Sequence, residues 1–397
     1  MDEQDAATSW HDCIGGARTR YHAFIDRCRA GSADYRLTPR AEPTSYARCF
    51  AVFGLHLIGA RAALHGSRDD LVPALRRDLR AARGKPCGPV PRDKAYRQLL
   101  CFTLSALATL GALDDDPLLD LVKEQVPDDA GAALAEAGAL EGRAQSGNQA
   151  MFLAIFLLHL RRFAGRDTRP ALGRWVETHS AAMNRFGFWG PDAGLTHLHF
   201  QNGYHQYEIF ELLGAKNPRE AEAITAVASL CDPLGHFAPY PGGGGCFDYD
   251  AVFVLTPDGR AADRSDVRGL LARTRDTIVS EQLQDGGFCE SLRVRPRMRS
   301  WPGFAERLAS GRNLALFKER ARYALTLQRP KHDRIHTHWS RYSRGWDEAN
   351  LWDSWFRILT IARIECAFDP PRAGDWGFID YPGIGWHPSL RTGSGWA

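Results

Sequence analysis

Six apolar segments of helical length recur along this 397-residue chain, each leading through a turn to a charged, amphipathic one. The apolar set is 45–60, 94–112, 147–160, 203–215, 246–255 and 350–365. The amphipathic set is 8–29, 67–83, 114–126, 167–183, 217–230 and 265–283. Segments apolar nearly all round belong to helices buried on both sides, whereas a single apolar face belongs to a helix at the surface. Glycines 66, 111, 165, 214 and 259 precede the amphipathic segments and suit the left-handed position that ends a helix. Ser67, Asp114, Asp167, Asn217 and Ser265 read as caps for the helices that follow. Repetition at roughly 50-residue intervals predicts concentric inner and outer helices.

The expected fold class is therefore all-α: one (α/α)6 toroid over residues 1–397, with an open helical solenoid as the structural rival. The stretch 291–345 is longer than the other connections and rich in Arg, His and Trp, so it reads as an inserted loop or lid. Because it joins the last outer helix to the last inner one, it should lie over the barrel mouth. Arg295, Arg297 and Arg299 would there meet an anionic ligand.

A formal charge of +3 is small for this length and gives no reason to expect nucleic acid or an anionic membrane as partner. The longest apolar run, Met151 to Leu158, is too short to span a bilayer. Nine cysteines without a CxxC pair, and an acidic N-terminus without an apolar run, lead us to expect a cytoplasmic protein. The sequence leaves the oligomeric state open.

In such a barrel the inner helices run the same way, so their N-termini share one mouth. Asn148, Gln149, His205, Gln206, Tyr207, Glu208, Asp248, Asp250 and Asp353 should converge there. The helix N-termini would favour a small-molecule partner with an anionic group. Asp114, Asp115, Asp116 and Asp120 resemble a metal-binding cluster but fall at an outer-helix start, on the opposite face. Trp189, Tyr204, Tyr249 and Trp352 are candidates to line the mouth and touch substrate, alongside Asn148, Gln149 and Asp353. In PGGGGCFDYDAVFVL (241–255) the glycines would let backbone approach a ligand closely, and a carboxyl in an apolar enclosure acts as general acid. His205 and Glu208 are three apart on one helix face, with Tyr207 beside them, which suits proton transfer. The pairs His197/His199 and His336/His338 lack strict ligand spacing. A divalent metal is left open and none is required.

Two motifs resemble the terpenoid cyclase and protein prenyltransferase superfamily of α/α toroids. Gln282, Gly286 and Phe288 in EQLQDGGF match its QxxxGxF/W repeat. Asp248-Tyr-Asp250 matches the class II cyclase DxDD motif, with Ala251 in the fourth place. The resemblance implies Asp250 as proton donor, Asp248 as its partner, and acid-catalysed cyclisation of an isoprenoid-type substrate. Ser146-Gly-Asn148-Gln149 is somewhat similar to helix openings of toroidal polysaccharide lyases. That second resemblance implies a sugar lyase or epimerase using Asn148, His205 and Tyr207. A toroid that only binds a ligand is the third alternative.

Overall fold

The computed structural model describes residues 3–84, 92–130, 132–133, 139–261, 264–294, 305, 308, 313–327, 334–391 and 396, without the side chains of 3–12, 92–93 and 334–336. The inner helices are α2 (Ser45–Leu57), α4 (Arg92–Thr109), α6 (Ser146–Ala164), α8 (His197–Leu213), α10 (Gly245–Leu255) and α13 (Leu351–Phe368). The outer helices are α1 (Glu3–Cys28), α3 (Arg61–Ala82), α5 (Leu119–Lys123), α7 (Arg169–Ala181), α9 (Glu220–Ala228) and α11 (Ser265–Ser280). Helix α2 packs on α4, α4 on α6, α6 on α8, α8 on α10, α10 on α13, and α13 back on α2. That closes the ring and excludes the open solenoid: the fold is an all-α (α/α)6 toroid.

Gly111, Gly165, Gly214 and Gly259 take left-handed φ between +63° and +73° at the turns away from the mouth. Two local expectations are corrected. Helix α3 starts at Arg61, so Gly66 and Ser67 lie inside it and Gly59 (φ +75°) makes the turn. Side-chain caps stand at inner helices instead: Thr44 accepts from Ala47 N, Thr196 from His199 N, and Asn350 from Asp353 N. Asp116 pairs with Arg76 and Arg80, both at 3.5 Å, on outer helix α3. The acidic run is thus held from the outer ring.

Gln282 of the QxxxGxF stretch ties the outer ring together. Its amide donates to Ala17 O (2.9 Å) and Gly286 O (2.7 Å) and accepts from Arg20 Nε (2.8 Å), joining the end of α11 to α1. Gly286 (φ +84°) lies so close to Arg20 O that a Cβ would collide with it.

The 291–345 insertion holds helix α12 (Leu314–Leu327) and an antiparallel hairpin, β1 (Arg334–Thr337) with β2 (Ser340–Gly345). Glu319 of α12 accepts from the first N–H groups of α8, His197 (2.7 Å) and Leu198 (2.9 Å). At the hairpin tip, His338 Nε2 meets Gln98 of α4 at 3.1 Å, and Trp339 stacks near Tyr46, Phe50 and Trp352. The described helix and hairpin of the insertion therefore lie at the mouth as expected, with regular structure where a loop was anticipated. Arg295, Arg297 and Arg299 lie outside the described residues. No helix among the described residues is long and apolar enough to cross a membrane.

Candidate functional site

Gly147 sets the site's geometry on the α6–α8 side. A Cβ there would collide with Asn202 O, and Gly147 N instead donates to Asn202 Oδ1 at 2.7 Å. The two helix openings are drawn together, which brings Asn148 Nδ2 to 2.7 Å from His205 Nε2. His205 Nδ1 faces Glu208 Oε2 at 3.2 Å. Burial, then the Lys94 charge, lower the His205 pKa to about 3, so the ring is neutral. With Asn148 donating to Nε2, the ring proton sits on Nδ1 and points at Glu208.

Burial raises Glu208 to about 8, against opposing pulls from the Tyr204 hydroxyl and Arg363. Tyr204 is near enough to act on Glu208, yet Tyr204 Oη and Glu208 Oε1 make no well-formed hydrogen bond. Asp250 faces them from α10. It is 1% exposed, and its Oδ2 also lacks a hydrogen-bond partner among the described residues. Burial, then the neighbouring Glu208 and Asp248 charges, push its carboxyl well above the ordinary range. Asp250 therefore holds its proton more tightly than an ordinary carboxyl does. Three buried, unpartnered polar atoms around one spot mark a place able to receive a ligand group or water.

Asp248, two residues earlier, is different. It accepts from Phe237 N (2.9 Å), faces His236 Nδ1 (2.9 Å) and pairs with Arg357. Burial would raise its pKa, but the His236 and Arg357 charges hold it below the usual carboxylate range. His236, raised to about 9 against its burial by Asp248 and Glu281, is an imidazolium. Its Nε2 lies 3.2 Å from Glu281. Asp248 and Asp250 therefore do not share one proton: the first is an anion and the second an acid.

The glycine run serves this arrangement. Gly242 (φ +83°) and Gly243 (φ +63°) pass tight against the protein's own groups, and a Cβ on Gly243 would lie 2.7 Å from Asp248 Oδ2. The close approach is to Asp248 and His236. Next to it, Tyr240 donates to Glu290, whose other oxygen is 3.3 Å from Arg344. Asn350 caps α13 by accepting from Asp353 N (2.9 Å), and the Asp353 carboxylate lies 3.7 Å from Arg344. Burial and the Asp353 charge raise Glu290 to about 7.

Aromatic rings cross the barrel from the hairpin to the acid. Trp339 meets Trp352 at 4.2 Å, Trp352 meets Phe356 at 4.4 Å, Phe356 meets Tyr249 at 5.6 Å, and Tyr249 meets Tyr204 at 6.1 Å. Phe50 and Phe102 add to the same wall. Tyr204 and Tyr249 thus join Asp250 closely enough to feel its charge, and Trp352 joins them through Phe356.

Three candidates do not. Tyr207 donates to Gly187 O and packs on Phe188 and Trp189, on the flank of α8 away from Asp250. Trp189 is fully buried outside the inner ring, its Nε1 donating to His179 O (2.9 Å). Gln149 accepts from Arg97, which also reaches Gln125 beyond α5. A cavity of about 330 Å³ between α5, α6 and α7, beside Leu153, Leu157 and Trp175, is lined by none of the site candidates. Among the described residues, no group of three or more His, Cys, Asp or Glu side chains is placed to hold a metal ion.

His236, Glu281, Arg357 and Lys94 escaped the reading of the sequence. Arg357 was the available signal: an arginine within a helix apolar all round needs a buried carboxylate. Arg363 repeats the pattern with Glu211, in a two-nitrogen pair at 3.2 and 2.7 Å.

No protein-family model and no curated protein matches the chain. Among solved structures, a variant of the type II terpene cyclase MstE from Scytonema, in complex with geranylgeranyl dihydroxybenzoate, aligns over 90% of this chain and 98% of its own. Identity is 12% and the TM-score 0.50, a likeness of fold. A glycosidase variant aligns over 92% of this chain and 99% of its own at 14% identity, with a TM-score of 0.49.

Proposed function

We propose that the protein is an enzyme catalysing the proton-initiated cyclisation of an isoprenoid-type small molecule, with Asp250 as the acid. The observation that carries this reading is the buried Asp250 carboxyl, its pKa pushed well above the ordinary range, whose Oδ2 has no hydrogen-bond partner among the described residues. A carboxylic acid desolvated in this way is poised to give its proton to a group that enters the barrel. Transfer to a carbon–carbon double bond forms a C–H bond, breaks the π bond and leaves a cation. The faces of Tyr204, Tyr249, Phe356 and Trp352 stabilise that charge while the chain closes on itself. Loss of a proton from the cyclised cation to water, and return of a proton from water to the Asp250 carboxylate, complete a net isomerisation.

Asp248 is a positioning residue in this scheme. Its fixed anion raises the cost of ionising Asp250, and its bonds to His236 and Arg357 hold the start of α10 in place. The Lys94 ammonium near His205 and His338 supplies a countercharge for an anionic head group. The solved toroid with geranylgeranyl dihydroxybenzoate bound suggests prenylated aromatic acids as the first compounds to try. The sugar-lyase alternative loses its acid, because Tyr207 faces away from His205.

The test is turnover of prenylated aromatic acids in deuterated water. One deuterium should enter a cyclised product of otherwise unchanged composition, and Asp250→Asn should lower the rate by at least ~10²-fold. Cyclisation without deuterium uptake, or equal turnover in Asp250→Asn, sinks the reading. Tight binding with no turnover would favour the ligand-holding toroid.

A further inference from the structure

The outer ring is uneven. Helix α5 has five residues, where α3 before it has 22 and α7 after it has 13. A helix of little more than one turn does not cover the length of α6 behind it. Leu153, Ala154 and Leu157 of α6 border the cavity of about 330 Å³ between α5, α6 and α7. Leu140, Leu172 and the Trp175 ring complete its apolar wall. That volume suits a small molecule, and the lining forfeits packing contacts until something fills the space.

Two lining side chains of α7 carry polar atoms that the protein leaves unpaired. Trp175 and His179 are one turn apart, 5% and 2% exposed, and their rings stack with centroids 4.0 Å apart. Trp175 Nε1 and His179 Nε2 have no hydrogen-bond partner among the described residues. His179 Nδ1 lies 2.9 Å from Trp175 O, and a carbonyl only accepts, so the ring proton sits on Nδ1. Burial lowers the His179 pKa to about 4, which keeps the ring neutral and Nε2 an acceptor. The stack thus offers one donor and one acceptor. A hydroxyl answers both through a single oxygen. Water does so too, but it leaves the apolar wall uncovered. At the rim Asp128, Asp129 and Asp167 stand among Arg166 and Arg174, so charge of both signs surrounds the opening and selects no ion.

The geometry points to a second small-molecule site in the outer ring, for an uncharged alcohol or phenol with an apolar body. The body fills the space against α6, and the hydroxyl accepts from Trp175 Nε1 and donates to His179 Nε2. Binding here involves none of the Asp250 cluster and is read without turnover, so its failure and that of the cyclase reading are separable.

The test is calorimetric titration of the full chain with 2-naphthol and with naphthalene, which lacks the hydroxyl, followed by hydrogen exchange to locate the bound probe. Two hydrogen bonds should make 2-naphthol bind about tenfold tighter or more, and its binding should slow amide exchange in 150–158 and 171–179. Ala171 is half-buried on α7 and lines the cavity, so Ala171→Trp should fill the space and abolish binding. Trp175→Phe keeps an aromatic ring and removes the donor. It should weaken 2-naphthol about fivefold with naphthalene unchanged, and serves alone if Ala171→Trp misfolds. Three results overturn the inference: no binding of 2-naphthol; equal affinity for naphthalene, which would mean a cavity without a polar anchor; or slowed exchange in 246–255 with binding indifferent to both variants, which would place the probe in the barrel.

Discussion

Asp248 and Asp250 start the same inner helix and are equally buried, but they face different company. Asp248 is surrounded by His236, Arg357 and the Phe237 N–H, whereas the groups acting on Asp250 are two further carboxylates, Glu208 and Asp248. The first environment supplies charge and hydrogen bonds in place of water, so the anion persists. The second supplies neither, so the proton stays. Burial is common to both, and pairing decides the outcome. The same contrast recurs along α8, where Glu211 is paired with Arg363, whereas Glu208, one turn earlier, faces a neutral imidazole and the pulls of Tyr204 and Arg363 do not offset its burial.

The largest expected effect breaks the paired side. Arg357→Met leaves Asp248 and Glu281 short of a buried cation and should cost about 3–5 kcal/mol of stability. Urea unfolding measures this, and a loss below about 1 kcal/mol would mean that the pairing is dispensable.

Removing the unpaired acid should do the reverse. Asp250→Asn should lose at least ~10²-fold in turnover while keeping or raising the melting temperature. Asp248→Asn should destabilise. Equal destabilisation by the two would erase the distinction between them.

Changing pH sharpens the comparison further. Glu208 is raised from 4.5 to about 8, so the folded state holds its proton more tightly and stability falls as pH rises through that interval. His236, raised from 6.5 to about 9, contributes stability that is complete below 6.5 and lost as pH rises through 9. Asp248, depressed below 3.8, contributes above that value and loses its contribution as pH falls through the folded pKa. His159, His179 and His205, buried neutral with pKa values lowered to about 4, 4 and 3, add stability as pH rises toward 6.5, so melting temperature should peak near pH 6.5 and decline toward alkaline pH. Glu208→Gln should flatten the part of the decline below pH 8. An unchanged profile in that variant would mean that Glu208 is ionised at neutral pH.

The smallest effect is a control. Tyr207→Phe removes one hydrogen bond to Gly187 O and should cost about 1 kcal/mol, with turnover within about threefold of wild type. A collapse of turnover at full stability would return Tyr207 to the chemistry.

Much of the architecture could be read from the chain. Runs such as GNQAMFLAIFLLHL, apolar all round, announce doubly covered helices, and Gly111, Gly165, Gly214 and Gly259 mark the turns between the rings. The position of 291–345 between the last outer and last inner helix places it at the mouth, as α12 and the hairpin bear out. The burial of Asp250 was legible too, through the apolar helix it opens.

By itself the sequence determined the alternation of inner and outer helices and the end at which polar residues gather, because periodicity and turn residues act locally. It could not determine which way each inner helix is rotated. A helix covered on both sides has almost no apolar asymmetry to orient it, so Glu208 toward Asp250 and Tyr207 away from it look equivalent in NGYHQYEIF. Tertiary structure settled that through contacts distant in sequence: Gly147 against Asn202, Arg357 against Asp248, and Arg363 against Glu211. Those contacts also decided which carboxylates are charged, because ionisation in a buried site depends on the partner that packing brings within reach.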